Sequence, residues 1–227
     1  MYWQDPESRE QEFQVPDDVV DLVFRLRGKS IDIDHAYSLS RALQERLGSE
    51  LCARIGVHGI RLAGSGNGWQ APAGADAEIP LPRRARLAIR LRREDCEAVA
   101  EMSNRRLDMG AQSIEVGECT VRKLSSLDTL HARAVCCRPD QSEEEFLQQA
   151  AAELETMGIA VSRMLCGMSG SVRTADGELF TRALLVADLK PAQSVTLQQR
   201  GIGGERLLGC GLFVPHKGID AVHEPRE

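Results

Sequence analysis

From Val19 to Arg27 (VVDLVFRLR) apolar and polar residues come to alternate, with Val23, Phe24 and Leu26 marking a strand that stops at Gly28. Asp34 is placed to cap a helix in which Leu39, Ala42, Leu43 and Leu47 recur at helical spacing, and Gly48 closes it. Glycines at 56, 59, 64, 66, 68 and 74 with prolines at 72, 80 and 82 predict short strand pieces and a long loop. The pattern then sharpens in RRARLAIRLRR. Ala85, Leu87, Ile89 and Leu91 share one parity and Arg84, Arg86, Arg90 and Arg92 the other, so one strand face enters a core while the other presents arginines. A short helix over 94–103 and one or two strands over 114–121 around Gly117 complete this half.

The second half repeats the order. Leu130–Cys137 reads as a strand, and Ser142 caps a long helix to Met157 with Glu145 in its first turn and Phe146, Leu147, Ala150, Ala151 and Leu154 as its stripe. Leu165–Val172 and Leu179–Leu189 form a hairpin through Asp176-Gly177, Pro191 opens a helix to Gln199, and Leu212–Val214 add a last strand. Two β-α-β-β-α-β units of about a hundred residues each are the simplest reading. The expected division is an extended arm over 1–18, a first domain over 19–125 and a second over 126–227, with the joint near Ser125–Asp128.

Composition narrows the function classes. The 227 residues carry 34 acidic and 28 basic side chains, a formal charge of −6, and only 4% aromatics. Net acidity argues against a protein whose whole surface coats nucleic acid or an anionic membrane, so any polyanion site has to be local. The charge is unevenly placed: residues 83–93 hold six arginines and no acid, whereas acids dominate residues 1–18 and 143–145. With no stretch near the ~18 consecutive apolar residues of a membrane span and no basic-then-apolar start, a cytoplasmic protein without a membrane partner is expected. Seven cysteines without a CxxC pair or zinc-type spacing to the histidines predict reduced, mostly buried thiols and no metal.

Three groups of residues carry candidate chemistry. In Gly201-Ile202-Gly203-Gly204-Glu205-Arg206-Leu207-Leu208-Gly209-Cys210-Gly211, five glycines in eleven positions let backbone N–H groups approach a phosphate, with Arg206 adding charge; a tight turn before the last strand is the alternative. The segment is neither a Walker loop nor a dinucleotide fingerprint. Arg84, Arg86, Arg90 and Arg92 fit a phosphate-tracking surface that Arg105 and Arg106 extend, against the alternative of a solvated edge. Few aromatics are present for base stacking, so shape and phosphate contacts dominate the expected recognition. Among five histidines, His35 at the start of the first helix and His58 in the stretch GVHGIRLAGSGNGW stand out as proton-transfer groups; His131, His216 and His223 read as structural.

The pattern Gly201-Ile202-Gly203, five residues including a base, then Gly209-Cys210-Gly211 resembles the C-terminal signature of the CRISPR-associated endoribonucleases that cut precursor CRISPR RNA within its repeats, members of the repeat-associated protein superfamily. Leu212–Lys217, DHAYSLSRAL and VHGIRLAGSGNGW resemble the branch named after myxobacterial systems, and the similarity runs from Asp21 to Val222. The resemblance implies an α+β fold of tandem ferredoxin-like (RRM-like) domains and a cofactor-free, metal-independent cut by the ribose 2′-hydroxyl. It implies a histidine base in or just after the first helix, a position both His58 and His35 satisfy; His58 is ranked first, His35 second as its partner or as the sole base, and Tyr37 is a reserve acid or orienting group. RNA contacts are expected from the arginine strand, the glycine segment and Lys217. CRISPR repeat RNA and other subunits of a CRISPR effector complex are the expected partners, with a homodimer left open. The nearest rival is a subunit that binds the mature guide RNA without cutting. A more distant one is a ferredoxin-like domain holding a nucleotide in its glycine loop.

Overall fold

The computed structural model describes residues 13–62 and 77–216. Strand β1 (Val19–Arg27) lies at the centre of a five-stranded antiparallel sheet in the order β3-β5-β1-β7-β6, where β3 is Gly56–His58, β5 Arg86–Arg92, β6 Arg105–Asp108 and β7 Ser113–Lys123. Its period of two sends Val20, Leu22, Phe24 and Leu26 to one face, where they are buried. On that face Leu39 and Leu43 of α1 (Ala36–Leu47) and Val99 of α3 (Cys96–Ala100) complete a core with Leu87 and Ile89. A one-turn helix, α2 (Ser49–Cys52), follows α1, and β2 (Ser30–Asp32) pairs with β4 (Glu78–Pro80) in a separate ribbon.

The second sheet runs β11-β8-β10-β9, from β8 (Leu130–Cys136), β9 (Arg163–Thr174), β10 (Gly177–Ala187) and β11 (Phe213–Pro215). Phe146, Ala150 and Leu154 of α4 (Glu143–Glu155) and Leu197 of α5 (Pro191–Arg200) cover it with a second core. The reciprocal capping box between Ser142 and Glu145 starts α4. Each sheet places the first strand of its unit between the third and the fourth, which is the ferredoxin-like order of a β-α-β-β-α-β unit, and the fold is a tandem of two such units. β6 is the addition, pairing with β7 at the edge of the first sheet.

Two local expectations change. Asp34 does not cap α1: His35 holds the N-cap position without a side-chain cap bond, and Asp34 Oδ2 accepts from the backbone N (3.2 Å) and Nε (3.1 Å) of Arg173 on β9. The cysteines are all free as expected, but only Cys52 and Cys210 are buried, the other five being half-buried.

Because α1 and α3 cover one face of the first sheet, its other face is left for the second unit. The end of α5, the turn over 201–212 and β11 approach it there. Gly209 comes so near β3 that a Cβ would sit 3.2 Å from the Val57 carbonyl oxygen, and a Cβ on Gly56 would lie 2.6 Å from the Leu212 side chain.

Candidate active site

The face of the first sheet turned away from α1 and α3 carries Asp21 and Val23 of β1, Arg86, Ala88 and Arg90 of β5, Arg122 of β7 and His58 of β3. Register places them together, since Asp21 pairs with Arg90 and with Arg122, and His58 with Ala88. Where the second unit meets this face, a cavity of about 290 Å³ opens, and its lining includes His58, Gly59, Gly209, Leu212 and Val214. Five arginines join them: Arg61, Arg84, Arg86, Arg122 and Arg133. Among the described residues no carboxylate lines it. Five guanidinium groups around one imidazole form a concentrated positive site on a chain whose net charge is −6.

His58 stands at the wall of this cavity, its side chain 15% exposed. Nε2 lies 3.4 Å from Asp21 Oδ1, yet the alignment makes no hydrogen bond, and this buried nitrogen has no hydrogen-bond partner among the described residues. Burial pushes the imidazole below its ordinary proton affinity; Asp21 acts against that, and Arg90 and Arg122 act with it. A neutral ring near pH 7 follows, the form that accepts a proton.

His35 has the opposite character. Its Nδ1 faces the carbonyl oxygens of Asp32 at 3.0 Å and Ile33 at 3.1 Å, and Nε2 accepts the Ile60 amide at 3.2 Å. That set requires the Nδ1–H tautomer. With both nitrogens engaged by main chain and the residue 7% exposed, His35 is a bracket tying α1 to the segment after β3. Tyr37 is not brought to His58: it lines a separate groove between α1 and the β9–β10 turn, with Arg41, Asp176 and Glu178.

The arginine strand divides. Arg84, Arg86 and Arg92 are exposed as expected, and Arg84 and Arg86 enter the cavity, whereas Arg92 lies beside Glu94 at 3.3 Å. Arg90 departs from the expected exposed face, being 1% exposed. Its Nε and one terminal nitrogen hold Asp21 at 2.8 and 3.2 Å, and the other donates to the carbonyls of Gln198 (2.9 Å) and Phe213 (2.7 Å). The alternation of the strand holds, but the second unit covers it at that position.

The glycine segment also differs from an open phosphate cradle. Amides of Gly201, Gly203, Gly209 and Gly211 already donate, to Leu197 O, Glu153 Oε2, Arg206 O and Ala134 O. Gly201 and Gly211 have positive φ, and a Cβ on either would stand 2.3 or 2.0 Å from a carbonyl oxygen of the facing strand of the turn. These glycines let the chain double back tightly, so the segment is the tight turn before the last strand. Gly204 alone of the five has neither positive φ nor anything within 4 Å of a built Cβ. Arg206 donates to the Gln199 and Arg200 carbonyls at the end of α5 rather than to the cavity. Lys217 lies outside the described residues, as do residues 63–69 of the glycine-flanked stretch.

Sequence reasoning missed Arg61, Arg122, Arg133 and Asp21. Arg133 is a lone base in β8 and Arg122 has only Lys123 beside it, so no run announces them; register within the first sheet sets Arg122 on the face of Arg86, and the meeting of the two units brings in Arg133.

The profile of the family described as Cas6 Crispr matches residues 20–218, almost the whole chain. The chain belongs to the Cas6 family. A relative named CRISPR-associated endonuclease Cas6, from Myxococcus xanthus (strain DK1622), is 27% identical over 196 residues, 86% of this chain and 81% of that one. Among solved structures, a Cas6-related protein from Pyrococcus furiosus superposes with a TM-score of 0.60 at 11% identity, covering 86% of this chain and 97% of the other. A second, titled CRISPR associated protein Cas6, gives 0.56 at 10% identity, with 88% and 100% covered. At such identities the superpositions speak for the tandem fold, in agreement with the strand orders above.

Proposed function

We propose that this Cas6-family chain is a metal-independent endoribonuclease that cuts precursor CRISPR RNA within its repeats and yields guide RNA, with His58 as the general base. The observation that carries the reading is the convergence of one neutral imidazole and five arginines on a cavity without a lining carboxylate among the described residues. In the proposed step His58 takes the proton of a ribose 2′-hydroxyl, the 2′-oxygen forms a bond to the adjacent phosphorus, and the bond from phosphorus to the 5′-oxygen breaks. The products are a 2′,3′-cyclic phosphate and a 5′-hydroxyl, whose proton comes from the imidazolium or from water. Guanidinium groups beside the phosphate stabilise the charge of the phosphorane as it develops. His35 acts as a structural bracket, and Tyr37 has no part in the step.

The test is incubation of a repeat RNA with the protein in EDTA. Cleavage leaving a cyclic phosphate is expected, together with complete resistance of an RNA bearing a 2′-deoxy sugar at the cut. Cleavage of the deoxy substrate, or cleavage abolished by EDTA, contradicts the mechanism. The enclosure of His58 favours one rival, a subunit that binds repeat RNA without cutting. Tight binding with no cleavage in the same assay selects that rival.

A further inference from the structure

Asp21 is an acid in an unexpected place. It sits on β1 between the core residues Val20 and Leu22, on the opposite face of the strand, and is 2% exposed, where a carboxylate persists only with strong partners. Arg90 holds both its oxygens, and Arg122 donates to Oδ2 at 2.9 Å. Burial would raise its proton affinity, but His58 and Arg90 hold the carboxyl far below the usual carboxylate range. Both arginines approach from flanking strands, and Oδ1 still faces His58 Nε2 at 3.4 Å. That nitrogen is the buried one without a hydrogen-bond partner among the described residues.

We propose that Asp21 is the positioning residue of His58, fixing the ring through Nε2–H and leaving Nδ1 to take the proton from RNA. The proposal rests on the reading of His58 as the base. A short ring movement converts the 3.4 Å approach into a hydrogen bond, and the carboxylate then selects one of the two neutral tautomers. The groups facing His58 come from every element around it. β1 gives Asp21, β5 gives Arg90 and, in the cavity, Arg86, and β7 gives Arg122. Arg61 follows β3, Arg84 precedes β5, and Arg133 comes from β8. Asp21 is the negative member of this set. It opposes burial and the arginines, so opposite substitutions move His58 in opposite directions.

The experiment is an NMR titration of the His58 side chain in the full, RNA-free protein, read by long-range nitrogen–proton correlations that report both midpoint and tautomer. The wild type is expected as the Nε2–H tautomer. Asp21→Asn moves the midpoint to lower pH and lowers single-turnover cleavage about 10-fold or more, with RNA affinity held within a few-fold. Arg122→Gln moves the midpoint to higher pH, and it keeps the test decisive if Asp21→Asn does not fold. An Nδ1–H tautomer in the wild type, or unmoved midpoints in the variants, overturns the proposal while leaving His58 free to be the base. Wild-type cleavage by His58→Ala overturns the base and the positioning role together, even if the titration shows the ring held by Asp21.

Discussion

Two histidines in one small unit differ because of what stands around each ring. His35 engages main chain with both nitrogens, whereas His58 keeps one nitrogen without a hydrogen bond and lies against a cationic cavity. Replacing His35 by Ala strands the Ile60 amide and two carbonyls, at a cost of about 1–3 kcal/mol. The expected thermal melting temperature falls by several degrees; an unchanged melt argues against the bracket role. For His58 the depressed proton affinity sets a pH dependence. A base works only when unprotonated, so activity is lost as pH falls through a midpoint below the ~6.5 of free histidine. The acid limb of kcat/KM for repeat-RNA cleavage, which reports the free enzyme, is therefore expected below about pH 6.5. A limb above about pH 7 contradicts a buried, neutral base.

At the scale of elements, much is legible in the chain. The strand over 19–27, the capped helix after Ser142, the β9–β10 hairpin, which turns at Ala175-Asp176, one residue before the expected Asp176-Gly177, and the inward parity of Ala85, Leu87, Ile89 and Leu91 all follow from periodicity and local cap chemistry, which act over a few residues. What covers a face is not legible in this way. Arg90 shares a parity with Arg86, but the carbonyls that bury it lie more than a hundred positions away. The glycine segment signals its turn, yet its amides are taken by long-range partners such as Ala134 and Glu153.

The division of the arginine strand gives a test of its own. Neutralising Arg84 and Arg86 together should weaken RNA binding and lower the slope of log affinity against log salt by about one for each phosphate no longer neutralised. Arg92→Gln, outside the cavity, should leave that slope nearly intact. Equal effects from both sets would return the whole strand to a diffuse positive surface.

For the whole molecule, the site exists only because two ferredoxin-like units meet. β1, β3, β5 and β7 supply one wall and β8, β11 and the glycine turn the other, and Arg90 spans the junction, holding Asp21 of its own unit with two hydrogen bonds and the Gln198 and Phe213 carbonyls of the second unit with two more. Arg90→Ala leaves the Asp21 carboxylate without its main buried partner, and a loss of about 3–5 kcal/mol is expected from denaturant unfolding. A loss under ~1 kcal/mol would mean the units dock by apolar packing alone. The net charge of −6 is then a sum over separate surfaces, and the positive one is assembled at this junction.

In the proposed reaction His58 removes the proton that starts the cut. Single-turnover cleavage of a repeat RNA in EDTA by His58→Ala, with binding measured on the same preparation, tests it most directly. A fall of about 10²–10⁴-fold in rate is expected, with affinity within a few-fold of wild type. A wild-type rate in the variant would contradict it.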